Sequence, residues 1–467
     1  MRILVISNLY PPDFLGGYEL GCSEAVEALR RIGHDVRVLT SVPGFTPVTN
    51  GADDHVFRNL VLSDIYRMAD APPTLKRMMS YEAKVSNFSN TWQLMETVRR
   101  FRPEVVYLFN TLGLGGLAVA DLLEYLGVPC VWHLMDRIPA ELCIDIDERI
   151  LCLSKLGNSR DFSSIQFISC SQVLKQELET FGIALGASVS IIPNWFDDSN
   201  EPNEPPKKTY WSGGPLKLIY AGVLTEHKGA HIVLEAAQRL VDSGFRSFSI
   251  DFYGSSVDQD YLALARRLEV AEQVAFHGRV SKEELALRFR DHDALVFPTW
   301  QREPFAFVAI EAAAQGCVPI FTRGCGASEA FTDGANSLMI ERDPEALAKA
   351  IMDISERRVD LQNLGASGID FVRSNLKLET IIRDVEKVLF QADRDIDWEK
   401  IDWSLAHRTF LLYDRIGREM AWAEQVDPGL MALVMKWANF AGKASRSLQD
   451  TPLLGYLFRR LIDLLRR

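Results

Sequence analysis

Residues 216–240 read LKLIYAGVLTEHKGAHIVLEAAQRL. Leu216 to Tyr220 is a mostly apolar run of strand length. Gly229 to Leu240 then carries apolar residues at helical spacing, and a loop containing Lys228 and Gly229 separates the two. Working outward, the same strand–loop–helix unit recurs. Phe248 to Phe252 is a strand and Asp258 to Arg267 a helix. Val274 to Phe276, Ala294 to Phe297 and Val318 to Phe321 follow as further strands. Upstream, Arg2 to Ser7 is a strand, Glu19 to Ile32 a helix and Asp35 to Leu39 a second strand. Val105 to Phe109, Val128 to Trp132, Ile165 to Ser169 and Val189 to Ile192 read as buried strands. Strands alternating with helices specify parallel sheets covered on both faces. Between the two series, residues 197–214 hold Asn200, Pro202, Asn203, Pro205 and Pro206, which is linker chemistry. The fold expected is therefore α/β: two Rossmann-like domains facing a cleft, residues 1–196 and 215–365. A helix over 366–392 returns towards the first domain, and a helical tail occupies 393–467.

The chain has 467 residues, enough for two or three domains of ordinary size. Its net charge of −12 makes it a poor generic partner for nucleic acid, which rewards basic stripes. The seven Cys are odd in number and none are paired as CxxC, so they read as reduced thiols. The opening MRILVISNLYPP reads as a first strand rather than a signal peptide, and no stretch approaches the ~20 apolar residues of a membrane span. A cytoplasmic protein is the expectation. The tail departs from this acidic background. Lys436 to Arg467 has seven basic and two acidic residues, with Leu457, Phe458, Leu461, Ile462 and Leu465 interleaved among arginines. Such a pattern suits either an anionic membrane face or a helix packed on the body of the protein.

Five clusters carry chemistry. Gly16-Gly17-Tyr18-Glu19 lies between the first strand and helix, where glycines admit a close ligand and a helix start offers free N–H groups. Its plain alternative is a turn needing positive φ. Lys228 stands at a second helix start. Glu303 and Glu311 frame EPFAFVAIE, in which Pro304 suits the first helical position. On that reading Glu311 lies two turns on, roughly 11–12 Å away, so the two carboxylates grip separate ends of one ligand. Gly324-Cys325-Gly326-Ala327-Ser328-Glu329 follows another strand and suits a nest of backbone N–H groups. His133 and Asp136 follow the strand ending at Trp132, where His133 is either a cleft residue or a packed one.

In their order these segments resemble the retaining glycosyltransferases of family four, which have the GT-B fold. PPDFLGGYELGCSEAVEALRRIGHDVRVLTS, FRPEVVYLFN, GVPCVWHLMD, FISCSQVLKQELETFG and IIPNWFDD match the first domain. AGVLTEHKGAHIVLEAA, DFYGSS, VAFHGRVSKEELA, ALVFPTW, EPFAFVAIEAAAQGCVPIF and GASEAFTDGANSLMI match the second. The resemblance runs from about residue 1 to 390. It implies transfer of a sugar from a nucleotide-sugar donor to a glycan or lipid-linked acceptor in cell-surface polysaccharide or glycolipid synthesis. It implies that Glu311 holds the ribose, that Glu303 holds the donor sugar and steadies its cationic transition state, and that Lys228 neutralises the diphosphate. It further implies that Gly254, Ser255, Arg279 and Val280 hold the base, and that the N–H groups of Phe305, Ala306 and Phe307 meet the diphosphate or sugar. Gly16 and Gly17 would close over the phosphates, and the acceptor would lie near Glu19 and Asp136, with His133 as a further catalytic candidate. No Asp-x-Asp pair in a suitable context is present, so neither a metal nor a cofactor is expected; Lys228 and helix N-termini supply positive potential instead.

The sequence departs from the family pattern at four places. Val223 stands where Arg is usual as a second diphosphate cation, which leaves His227, Arg279, Arg302 and Arg323 as candidates. Ala306 replaces a Gly, tolerable if its φ is negative. Trp195 replaces the Gly after Pro-Asn, and Met135-Asp136 replaces His-Asp. A GT-B scaffold that has lost catalysis, serving as a binding or assembly subunit, is the competing reading.

Overall fold

The computed structural model describes residues 1–42, 54–63, 72–146, 148–151, 160–186, 189–199, 206, 208–254, 259–392 and 395–422. They fall into two compact units. One contains Met1–Ile168, Leu178–Ser190 and the described residues from Lys387 on; the other contains Ser169–Glu177 and Ile191–Glu386.

In the first unit, described residues form a seven-stranded sheet in the order β3-β2-β1-β4-β5-β6-β7. Its strands are β1 (Arg2–Ile6), β2 (Asp35–Val42), β3 (Val56–Val61), β4 (Val105–Leu108), β5 (Cys130–Leu134), β6 (Gln166–Ser169) and β7 (Val189–Ile191). The ladders joining β3 to β2, β2 to β1, β1 to β4 and β4 to β5 are parallel. Helices α1 (Gly17–Arg31), α2 (Pro73–Ser80), α3 (Phe88–Phe101), α4 (Gly116–Leu126), α5 (Ile138–Glu141) and α6 (Glu148–Leu151) lie between the strands in sequence, and α7 (Gln172–Thr180) has its first six residues in the second unit and its last three in the first. Ile3, Leu4, Val5 and Ile6 are buried together, as are all four residues of β4, which is the continuous apolar run of a strand covered on both faces. β3 was not among the expected strands. It is an edge strand in which only Leu60 is buried, so it lacks that signature.

The second unit carries a six-stranded sheet in the order β10-β9-β8-β11-β12-β13, with every ladder parallel. The strands are β8 (Leu216–Ala221), β9 (Phe248–Tyr253), β10 (Val274–Gly278), β11 (Ala294–Phe297), β12 (Val318–Thr322) and β13 (Leu338–Ile340). Helices α8 (Ala230–Asp242), α9 (Gln259–Arg267), α10 (Lys282–Asp291), α11 (Phe307–Ala314), α12 (Pro344–Ser355), α13 (Leu361–Asn375) and α14 (Leu378–Ala392) complete it, and α14 runs on into the first unit. The single helix expected over 366–392 is two. At the break, Phe196 N–H donates to the Leu376 carbonyl at 2.7 Å and Phe196 C=O accepts from Leu378 N–H at 2.9 Å, which takes backbone groups a continuous helix would need. The first unit likewise ends its early segment at Ser190 rather than at 196.

The tail is helical as far as it is described. α15 (Trp403–Trp422) packs on α2, α3, α4 and a π-helical turn over Tyr81–Val85. Tyr81 is fully buried against Gly417, where an added Cβ would fall 2.2 Å from the phenol oxygen. Buried Asp414 accepts from Ser86 Oγ at 3.0 Å and from Arg418 Nε at 2.7 Å, and Arg418 also pairs with Glu82. Lys436–Arg467, the basic amphipathic end, lies outside the described residues. Among those residues no helix is long and apolar enough to cross a membrane. The six described cysteines are buried.

Candidate active site

Each sheet reverses its strand order once, between β1 and β4 in the first unit and between β8 and β11 in the second. Loops leaving the carboxyl ends of such a strand pair diverge, and the gap they leave is where open α/β sheets bind ligands.

At the second reversal the loop after β8 carries Lys228 and the loop after β11 carries Glu303. Lys228 Nζ donates to Glu303 Oε2 at 2.6 Å, and Thr299 Oγ1 donates to the same oxygen at 2.9 Å. Among the described residues Oε1 accepts no hydrogen bond. The carboxylate side chain is 6% exposed and the ammonium 25%, so the pair sits at the surface of a well-packed floor. Backbone contacts set that floor. Trp300 N–H donates to the His227 carbonyl at 2.9 Å, which ties one loop to the other. Gly229, with φ +79, caps α8, and a Cβ there would lie 2.1 Å from the Pro298 carbonyl oxygen. Only glycine lets the lysine loop approach the β11 loop this closely.

The start of α11 differs from the expectation. Ala306 is its N-cap and Phe307 its first residue, so Pro304 stands in the loop before the helix. The Glu303 carbonyl accepts from Gly326 N–H at 2.8 Å, a bond to another loop rather than to a residue of α11. A Cβ on Gly326 would lie 1.6 Å from the Pro304 carbonyl oxygen. Two corrections follow. Glu311 lies about one turn into α11 rather than two turns beyond Glu303. Within the Gly324–Glu329 segment, Gly326–Glu329 form a single 3₁₀ turn, and the Gly326 N–H serves the Glu303 loop rather than a ligand nest. Ala306 has φ −74, which meets the condition for a methyl at that position. Glu311 is 20% exposed, with Lys282 Nζ 3.8 Å from its Oε1.

Gly254 follows β9 with its N–H on the Gly278 carbonyl at 2.9 Å, and a Cβ there would strike the Gly222 carbonyl oxygen at 1.9 Å. Arg279 and Val280 follow β10, so these backbone groups collect at one end of the sheet. Ser255 lies outside the described residues. Asn194 Nδ2 donates to the Phe305 carbonyl at 2.9 Å, and buried Trp195 meets Phe307 edge-on at 6.1 Å. Trp195 thus fills space against the start of α11.

At the first reversal the polar residues are spent on the chain itself. Glu19 is 2% exposed; its Oε2 accepts from Gly16 N–H at 3.0 Å and Leu15 N–H at 3.3 Å, and its Oε1 from Asn110 Nδ2 at 3.1 Å. Glu19 is the latch of the glycine loop. Gly16 has φ −162 and nothing within 4 Å of an added Cβ, so the turn that would demand a positive φ is absent and the chain's own geometry does not call for glycine. Gly17 opens α1. His133 lies within β5 rather than after it. It is wholly buried, with its Nδ1 2.6 Å from the Tyr107 hydroxyl and its ring stacked on Phe109. Burial holds its pKa down to about 3, so it is a neutral packing group and not a proton donor. Asp136 is exposed in the loop after β5, its Oδ1 on Arg137 N–H at 2.7 Å.

The four cations proposed in place of the missing arginine are now placed. Arg323 pairs with Asp333 at 2.5 Å and Glu341 at 3.7 Å. Arg302 covers the Trp300 ring at 4.4 Å and pairs with Glu177 at 3.2 Å. His227 lies against Trp300 at 4.9 Å, and Arg279 is exposed. Sequence reasoning missed two residues. Thr299, in Pro-Thr-Trp, was legible only as a hydroxyl four positions before Glu303. Arg342 reaches from the end of β13 to the Glu226 carbonyl at 2.5 Å, a contact across the sheet with no local signal. Among the described residues no cluster of His, Cys, Asp or Glu is arranged to hold a metal.

Two parallel α/β units whose reversal points carry a lysine–glutamate pair and a glycine loop define a GT-B fold. The description glycosyl transferase 4-like domain matches residues 16–195, and glycosyl transferases group 1 matches residues 203–370. The chain belongs to the GT-B glycosyltransferases of this family-four, group 1 type, and it is a glycosyltransferase. It is 26% identical to a glycogen synthase of Mycobacterium tuberculosis over 407 residues, 84% of this chain and 95% of that enzyme. It is 24% identical to the D-inositol 3-phosphate glycosyltransferase of Pseudarthrobacter chlorophenolicus over 369 residues, 75% of this chain and 85% of that one. Among solved structures, sucrose-phosphate synthase from Thermosynechococcus elongatus aligns with a TM-score of 0.63 at 18% identity, over 84% of this chain and 98% of that one. HepE of Anabaena in complex with UDP and glucose aligns at 0.59 and 17%, over 84% of this chain and the whole of that one.

Proposed function

We propose that the protein transfers a sugar from a nucleoside-diphosphate donor, with retention at the anomeric carbon and without a metal, to a glycan or lipid-linked acceptor of the cell surface. The observation that carries this reading is the Lys228–Glu303 pair at the β8/β11 reversal, with Glu303 Oε1 left over and the start of α11 beside it. Cleavage of the glycosyl–phosphate bond sends its electron pair to the diphosphate and leaves cationic character on the sugar. Lys228 meets the first charge and Glu303 the second. The Phe305, Ala306 and Phe307 N–H groups add the positive end of α11. Glu311 accepts from the ribose hydroxyls, and the backbone around Gly254, Ser255, Arg279 and Val280 takes the base. The acceptor oxygen closes on the anomeric carbon, and its proton passes to the departing phosphate oxygen.

The HepE complexes with UDP and UDP-glucose support a uridine donor as the first to test. The measurement is transfer from UDP-, GDP-, ADP- and dTDP-sugars with the product anomer read by NMR, in EDTA and then in Mn²⁺. An inverted anomer, or a rate that needs Mn²⁺, overturns those parts of the reading. Hydrolysis and transfer both absent with every donor would favour the non-catalytic scaffold.

The basic end, Lys436–Arg467, holds the enzyme to an anionic membrane face in this reading, since each basic residue near such a surface contributes about 1 kcal/mol. Vesicle co-sedimentation of the full chain and of one ending at Asp450 tests it. Equal binding by both, or binding insensitive to salt, overturns it.

A further inference from the structure

The Lys228–Glu303 pair sums to no net charge, which sharpens the question raised by Val223. A departing diphosphate brings at least two negative charges, and the ammonium that should meet them is already shared with a carboxylate at 2.6 Å. A second cation near the loop over Gly222–Gly229 has to be one that is not itself neutralised. Arg302 and Arg323 fail that requirement, because Glu177 holds the first and Asp333 with Glu341 the second.

Arg342 meets it. It follows β13, and its Nη2 donates to the carbonyl of Glu226, two residues before Lys228. Among the described residues it forms no ion pair, and its buried Nε has no partner. The acids flanking it in sequence are engaged elsewhere: Glu341 on Arg323 and Asp343 on the Ala346 N–H that starts α12. The Glu226 carboxylate makes no ion pair with it. Its charge is felt locally. His231, in the first turn of α8, is held below its ordinary value by burial and then by Arg342, with Glu235 and Glu226 acting the other way.

We infer that Arg342 is the second cation of the leaving-group site, a positioning residue that holds the Lys228 loop by the Glu226 carbonyl and lends it an unneutralised positive charge. It does the work that an arginine at position 223 would do from within the loop. This rests on the nucleotide-sugar reading above.

The test uses the full chain. Wild type is titrated calorimetrically with UDP, GDP, ADP and dTDP; the tightest binder and its free nucleoside are then compared across Arg342→Gln, Arg342→Lys and Arg323→Gln. Gln keeps a donor for the Glu226 carbonyl but no charge; Lys keeps the charge. The expected result is a loss on the order of 10-fold for the diphosphate in Arg342→Gln, with nucleoside affinity within about twofold, as for one charge-assisted contact. Arg342→Lys stays near wild type, Arg323→Gln changes neither affinity, and Val223→Arg restores the diphosphate in the Arg342→Gln background. Unchanged diphosphate affinity in Arg342→Gln reduces Arg342 to a clamp and overturns the inference. Equal losses of diphosphate and nucleoside also overturn it, because they report a damaged loop. A wild type that binds none of the four diphosphates overturns the nucleotide-sugar reading and the inference with it.

Discussion

Around the carboxyl ends of β1 and β4, Glu19 is buried and bonded to Gly16, Leu15 and half-buried Asn110, and His133 is buried in neighbouring β5 on the Tyr107 hydroxyl. At the corresponding ends of β8 and β11, Lys228 and Glu303 share one hydrogen bond and keep further capacity. The two sheets have matching strand orders around their reversals, so topology supplies both places for a ligand. Which of them does chemistry is decided by what the polar groups still lack. A carboxylate whose two oxygens serve three donors shapes a loop; one whose second oxygen accepts nothing can meet a sugar.

The sharpest break of this contrast is at the second reversal. Glu303→Ala and Lys228→Ala are each expected to lower transfer on the order of 100-fold or more while leaving the melting temperature within a few degrees. Near-full turnover by either variant would place the chemistry elsewhere. Next come the glycines. Gly326→Ala forces a methyl onto the Pro304 carbonyl and should cost roughly 3 kcal/mol or more, read as a lowered denaturation midpoint with transfer lost alongside. Gly16→Ala, in open space at an extended φ, should leave the midpoint unchanged and lower only transfer. If Gly16→Ala unfolds the protein instead, the first glycine loop is structural and the contrast fails there.

His133 gives an effect of intermediate size. Its pKa of about 3 in the fold lies below the ~6.5 of an unfolded chain, so the unfolded state binds more protons between those values. Its contribution is intact above pH 6.5 and is lost progressively as pH falls towards 3, at up to about 1.4 kcal/mol per pH unit. His133→Gln should flatten the acid limb of stability against pH by close to one proton. An unchanged slope would mean that the imidazole is charged in the fold. The smallest effect is at the family departure: Ala306→Gly, at an N-cap with negative φ, should shift stability by no more than a few tenths of a kcal/mol and leave transfer near wild type.

Buried parallel strands such as β1, β4, β8 and β11 were legible because both faces are covered and the apolar run is continuous. β3 was not, since an edge strand buries one residue in six. The pairing of Lys228 with Glu303 was legible only as two loops at strand ends. Thr299, the Gly326 contact that delays α11, and the reach of Arg342 depend on residues brought together from distant strands, which periodicity does not encode. His133 was misplaced by two residues of strand end, enough to turn a loop candidate into a core side chain.

The notch at Gly417 has a consequence for where this chain can be divided. Removing that helix leaves the Tyr81 hydroxyl without the Asp414 carbonyl, Ser86 Oγ without the Asp414 carboxylate and Glu82 without Arg418. The family model matched in the second unit ends at residue 370, ahead of α15, whereas Tyr81, Ser86 and Glu82 of the first unit take partners from that helix. Swapping this unit into a relative therefore means carrying residues 403–422 along with it.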